Sequence, residues 1–150
     1  MKLKIPPVVI FFLALALMFG AYYLFPGYTY TVPYSISFSR VLLVMGSLAG
    51  IAGIVEFRSK GTTIDPMNPQ KARRLVTSGI YRYSRNPMYL GMLLVLLGGL
   101  IRLGSPLSLP GVLFYIFCIT QFQIKAEEKA LSQNFGDEYR DYCDEVRRWI

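Results

Sequence analysis

Histidine is absent from this chain, cysteine occurs twice, and only 17% of the 150 residues are charged. Without an imidazole there is no member of the commonest class of metal ligand and no usual general base near neutral pH, which excludes a Ser-His triad. Cys118 and Cys143 are too few for a zinc cluster, so no metal is expected. Cys118 lies inside an apolar run and Cys143 in a charged tail, and that difference in depth argues against a disulfide between them. Acidic residues are also scarce, nine against sixteen Lys and Arg, for a formal net charge of +7. The basic residues cluster between apolar runs rather than lining one continuous face with aromatic partners, so nucleic acid is not the expected partner.

What the chain does have is apolar length. It is 53% hydrophobic with a mean hydropathy of +0.40, too apolar for an ordinary soluble domain, for a disordered chain or for a coiled coil. The excess is concentrated in long uninterrupted stretches, so lipid is the expected solvent. The sequence reads as an all-α membrane protein, a single domain with about four transmembrane helices. The first span covers residues 8–25, free of charge and long enough to be retained rather than cleaved as a signal peptide. A second covers 41–55 and ends at Glu56 and Arg58, after an aromatic, Gly/Pro-punctuated interfacial segment. Spans at 87–101 and 110–124 form a helical hairpin closed by a turn at Gly104, Ser105 and Pro106, with Arg102 free to snorkel outward.

The connection between the second and third spans carries Arg58, Lys60, Lys71, Arg73, Arg74, Arg82 and Arg85 against one acid, Asp65. Loops on the other side hold only Arg40 and Arg102, so the excess of positive charge places the 58–86 loop in the cytoplasm. Four crossings then put both termini there too, in keeping with Lys2 and Lys4 at one end and a charged tail at the other. Residues 1–57 thus carry two spans, and residues 87–150 the hairpin and the tail.

Beyond the fourth span the helical pattern runs through Glu127 and Glu128 toward Phe135, and Gly136 supplies a stop. Asp137 is expected to cap a last cytoplasmic amphipathic helix. Tyr139, Tyr142, Cys143, Val146, Trp149 and Ile150 recur in it at three- and four-residue steps, as in a helix lying on the membrane or over the loop.

The densest group of polar, aromatic and turn residues runs from Thr77 to Tyr89. A purely structural account is available: Asn86 suits an N-cap, Pro87 the first helical position, and the arginines a topological role. Glu127 and Glu128 fall one turn past the fourth span, at the depth of Arg85 and Asn86 at the other end of the same hairpin. Either they are solvated and paired with Lys125 or Lys129, or they meet the arginine and the tyrosines where lipid gives way to cytosol. In the second case they suit a polar cofactor beside an apolar substrate.

The stretches GTTIDP, LVTSGIYRYSRNPMYLG from Leu75 to Gly91, and EEKALSQNFGDEYRDYCDEV from Glu127 to Val146 together resemble the integral membrane methyltransferases grouped with isoprenylcysteine carboxyl methyltransferase. These in turn resemble phospholipid N-methyltransferases. The resemblance implies a cytosolic S-adenosylmethionine pocket roofed by the C-terminal segment and a lateral opening for a lipophilic acceptor: a carboxylate, thiol or amine. It places cofactor contacts on Arg73, Arg74, Leu75, Val76, Tyr81, Asn86, Pro87, Met88, Tyr89 and Glu127. Arg85 would orient the cofactor or an anionic acceptor, with Glu128 a second positioning candidate and a possible proton relay.

Two positions depart from the family pattern. The common Arg-His-Pro is here Arg85, Asn86 and Pro87, so only hydrogen bonding survives at the middle position. Gln123 stands where the eukaryotic prenylcysteine enzymes place a substrate arginine, and an uncharged amide is a poor clamp for a carboxylate. The competing class is a non-catalytic helix-bundle scaffold, to which Gly46, Gly50, Gly53, Gly91, Gly98 and Gly99 would lend close packing. The topology is testable on its own. Reporters fused to either terminus are expected to report a cytoplasmic location, and an external signal from either one overturns the four-span arrangement.

Overall fold

The computed structural model describes residues 5–31, 33–61 and 74–150. Among them the chain is helical, with no strand. Helix α1 covers Pro7–Leu24, α2 Ser35–Ser59, α3 Pro87–Leu103, α4 Leu109–Ile119, α5 Lys125–Phe135 and α6 Asp137–Glu145. By length and composition α1, α2 and the continuous helical run Pro106–Phe135 are able to cross a membrane, and α3 is a shorter apolar helix. The molecule is an all-α membrane protein.

The helix edges differ from the periodicity in instructive ways. Helix α2 starts six residues before the expected span, at Ser35, and runs past Glu56 and Arg58. A helix stays hydrogen-bonded beyond the apolar layer, whereas the hydropathy run ends at the first charge. The fourth span joins α5 through one π-helical turn, Thr120–Ile124, so the hairpin continues straight to the two glutamates. Asp137 is the first residue of α6 and not its cap, a place taken by Gly136. Helix α6 ends at Glu145, and Val146 is extended (φ −123°, ψ 128°), so Trp149 and Ile150 belong to no amphipathic helix. Hydrogen bonds made by residues 147 and 148 outside α6, described below, replace the helical continuation.

Helix α3 is central. Helix α2 lies along one side of it, and α4 and α1 cover the other. The core between α1, α3 and α4 is built from Ile10, Ala14, Met18, Leu96, Val112, Tyr115 and Ile119. Its polar atoms are answered locally: the Ser108 hydroxyl donates to the Met18 carbonyl (2.8 Å) and the Tyr115 hydroxyl to the Tyr89 carbonyl (3.0 Å). Unanswered polar groups inside such a bundle cost several kcal/mol each, roughly, because lipid offers no partners. At the far end of the hairpin Gly104 takes the left-handed conformation (φ +59°) that closes α3, and its carbonyl accepts from the Tyr30 N–H at 2.8 Å.

The α2–α3 seam is set by glycine. A Cβ on Gly46 would lie 2.5 Å from the Gly91 carbonyl oxygen, and one on Gly91 2.5 Å from that of Gly46. Two backbones therefore touch where side chains would hold them apart. Gly50 presents its backbone to Gly91 but has open space where its own Cβ would go. Gly46→Val is thus expected to lower stability by about 1–3 kcal/mol or more, and Gly50→Ala to leave it unchanged or raise it by up to about 1 kcal/mol. Unfolding midpoints in a mild detergent measure both, and equal losses at the two positions would contradict this seam.

Candidate functional site

The seam and the hairpin bring three chain segments to one end of the bundle: the last turns of α2, the loop entering α3, and α5 with α6. The loop is held from below. Glu56 on α2 accepts the Ser78 hydroxyl at 2.5 Å, and a 3₁₀ turn over Gly79–Arg82 follows directly. That turn buries Tyr81, whose ring meets Phe57 of α2 edge-on at 5.2 Å between centroids. From above, the Tyr142 hydroxyl of α6 donates to the Tyr81 carbonyl at 2.7 Å. Tyr139, Tyr142 and Val146 form a small second core with Leu75, Leu131, Phe135 and Cys143, which seats α6 over the loop.

Between these walls lies a partly open cleft lined by Phe57, Arg74, Leu75, Val76, Tyr81, Arg85, Asn86, Met88, Tyr89, Glu127, Glu128, Leu131, Tyr139 and Tyr142. Its free interior is about 80 Å³, room for several waters at roughly 10–15 Å³ each. The Tyr89 hydroxyl donates to the Glu127 carboxylate across it. No Lys or Arg forms an ion pair with Glu127 among the described residues. The Tyr81 hydroxyl is buried without a hydrogen-bond partner. Burial first, and the Glu127 carboxylate second, push its phenol well above the ordinary range, so it stays a neutral donor.

Glu128 lines the same cleft with different partners. Arg148 donates to both its oxygens, Nε at 2.9 Å and Nη2 at 2.8 Å, and Arg85 Nη1 stands 3.6 Å away. The hydrogen bonds from Arg148 to Glu128 hold that guanidinium above its ordinary range. Arg85 Nη1 also donates to Cys143 Sγ and, at 3.5 Å, to the Tyr139 hydroxyl. Lys125 pairs with Gln121 at 2.8 Å, so the picture of solvated glutamates balanced by Lys125 does not hold.

Several of the residues singled out in the sequence therefore converge: Arg74, Leu75, Val76, Tyr81, Arg85, Asn86, Met88, Tyr89, Glu127 and Glu128 share one cleft. Others do not. Arg73 lies outside the described residues. Pro87 is buried as the first residue of α3, near Gly53, and is not in the lining. Gln123 is fully buried in the π-helical turn, donates to the Ile5 carbonyl, and does not line the cleft. Its side chain ties the hairpin to the residues just before α1. Asn86 occupies the N-cap position of α3 without capping it: its Nδ2 donates to the Arg148 carbonyl at 3.0 Å instead. Sequence reasoning missed Phe57 and Leu131 as lining residues. It placed Tyr139 and Tyr142 on a buried face without assigning them to a site. Only the position of Phe57 beside Glu56, at the site end of α2, was a signal.

The family model described as phospholipid methyltransferase matches residues 34–138. The chain belongs to that family. It is 29% identical over 110 residues to protein-S-isoprenylcysteine O-methyltransferase A of Arabidopsis thaliana, a match covering 73% of this chain and 56% of that protein. It is 38% identical over 72 residues to protein-S-isoprenylcysteine O-methyltransferase of Saccharomyces cerevisiae, covering 48% of this chain and 30% of that protein. A Haemophilus influenzae protein without a functional name is 51% identical over 63 residues, 42% of this chain and all of its own length. The chain thus spans about half the length, or less, of the named methyltransferases it matches, and the matched region includes the second span, the loop, the hairpin and the start of α6.

Asn86 stands next to the Arg85 backbone N–H, which donates to the Arg147 carbonyl at 3.1 Å. Together they pin an extended strap, residues 146–149, across the entry to α3. Asn86→Asp keeps the shape and removes the donor, turning an attraction to the Arg148 carbonyl into a repulsion worth about 1–3 kcal/mol. Hydrogen exchange at residues 146–150 is expected to quicken in that variant. An unchanged exchange rate would show that the strap is held by something else.

Proposed function

We propose that this protein transfers a methyl group from S-adenosylmethionine to a lipophilic acceptor that reaches the cleft from the bilayer. The observation that carries the reading is the meeting of Tyr89 and Glu127, residues of two separate motifs, around one cleft at the end of the bundle. The residues present fit such a donor. Glu127 offers a carboxylate with a phenol donor and, among the described residues, no cation, in partly desolvated surroundings where a positive ligand group is the natural complement. Phe57, Tyr81 and Met88 offer an apolar, aromatic wall for a flat ring, and the unpartnered Tyr81 hydroxyl offers one further hydrogen bond.

When bound, the donor supplies a methyl group on a positively charged sulfur, a leaving group that needs no proton. The absence of histidine is therefore no obstacle. What remains for the chain is to orient and to exclude water, and orientation alone contributes up to roughly 7–11 kcal/mol in favourable systems. Tyr89 fixes the Glu127 carboxylate, and α6 closes the polar side through Tyr139 and Tyr142. Toward α2, Gly53 lacks a side chain where a Cβ would lie 2.7 Å from Met88 Cγ and 3.5 Å from the Tyr81 hydroxyl. Met88 and Tyr81 therefore fill the space beside α2 and close the cleft on that side.

Arg85 is committed to Glu128, Tyr139 and Cys143, and Gln123 lies outside the cleft, so neither is placed as a clamp for an acceptor carboxylate. An aminophospholipid, in keeping with the family description, and an isoprenylated carboxylate, in keeping with the named relatives, are the two acceptor classes to test first. Label transfer from methyl-tritiated S-adenosylmethionine into a lipid extract, followed by mass detection of the methylated species, decides between them. Glu127→Gln is expected to weaken S-adenosylmethionine binding about ten- to a hundredfold, the loss of one charge-assisted contact. Calorimetry on the folded, detergent-purified protein measures this, and an unchanged affinity removes Glu127 from the site.

A further inference from the structure

Glu127 and Glu128 are adjacent on α5 yet keep different company. Glu128 receives two hydrogen bonds from Arg148 and an ion pair from Arg85, while among the described residues Glu127 receives the Tyr89 hydroxyl alone. Arg85 and both glutamates line the same cleft. The Arg85 side chain is largely buried, at 15% exposure, and its Nε has no hydrogen-bond partner. A partly desolvated guanidinium with unspent donors seeks an anion. Two anions are within the cleft: Glu128, which holds it, and Glu127, which has no cation among the described residues.

We propose that Glu128 is a positioning residue that detains Arg85 and so reserves the Glu127 carboxylate for the positive charge of the methyl donor. The inference rests on reading the cleft as the donor site. It gives Glu128 a role other than proton relay: both of its oxygens are engaged by one guanidinium and a second stands alongside. It also separates the two arginines. Arg148 occupies the outer side of Glu128 and is not part of the cleft lining. The strap that carries it is pinned through main-chain carbonyls, to the Arg85 N–H and the Asn86 amide, and these bonds survive a change of the Arg148 side chain. Loss of that side chain leaves Glu128 wholly to Arg85.

The test compares Glu128→Gln with Arg148→Gln in the full chain in detergent, reading S-adenosylmethionine affinity by calorimetry and methyl transfer by kcat and KM. Glu128→Gln is expected to raise Kd and KM about tenfold with kcat within about twofold, and Arg148→Gln to stay within about threefold of the parent in Kd. Equal losses in the two variants would mean that the ion pair only holds the fold together, and a fall in kcat at unchanged Kd would mean proton transfer by Glu128; either outcome overturns the proposal. A second comparison stands even if Glu128→Gln fails to fold. In an Arg85→Gln background there is no cation to detain, so adding Glu128→Gln is expected to change Kd by no more than about twofold, and a larger additional loss overturns the proposal. Failure of the folded parent protein to bind S-adenosylmethionine at all is a different result, which removes the proposed donor site itself.

Discussion

A carboxylate at the margin of an apolar bundle must find a donor or a countercharge, and Glu127 finds the hydroxyl of Tyr89. The rest of this end of the molecule is arranged around that meeting. The hairpin of α3 and α4 returns the chain to the level at which it left, and the π-helical turn lets the helical run continue to Glu127 rather than stop at the apolar boundary. Tyr115 steadies the other side of the same joint by donating to the Tyr89 carbonyl. A single phenol is thus tied into the core through its backbone and into the cleft through its side chain.

Close packing supplies the second wall. Gly46 and Gly91 let α2 and α3 touch backbone to backbone, and Gly53 continues the seam up to Met88 and Tyr81. The approach brings Phe57 onto the Tyr81 ring and Glu56 onto Ser78. The glycines that a scaffold reading would claim for packing are therefore also what shapes the site, and packing and function are not rivals here. Across the top, α6 and the strap after it are joined to the loop by side chains, Tyr142 to the Tyr81 carbonyl and Asn86 to the Arg148 carbonyl. These polar ties act beside the small apolar core of Tyr139, Tyr142 and Val146 with Leu75 and Leu131 that seats α6 over the loop.

Adjacent glutamates with opposite surroundings show how one motif divides its labour. Glu128 is neutralised by Arg85 and Arg148, while Glu127 is left with a neutral donor. The same division explains why Arg85, in the densest motif of the chain, is spent on the architecture of the cleft and on Cys143 and Tyr139. Family membership and the names of the relatives point to methyl transfer.

The spans, the hairpin, the turn at Gly104 and the pairing of the Arg85–Tyr89 motif with Glu127 were legible in the sequence alone. Long apolar runs dictate helices in lipid, and the ends of a short hairpin must be neighbours. The true length of α2, the break after Glu145 and the absence of an Asp137 cap were not, because hydropathy marks the apolar layer and not the end of the hydrogen-bonded helix. Nor did spacing reveal that Asn86 holds the strap, that Gln123 turns into the core, or that Phe57 and Leu131 line the cleft. Those facts depend on rotation about helix axes and on contacts between residues far apart in the chain. Long apolar runs determined that the chain is helical and membrane-embedded; only the tertiary structure decided which of two neighbouring carboxylates receives the arginines, because that depends on contacts between residues far apart in the chain.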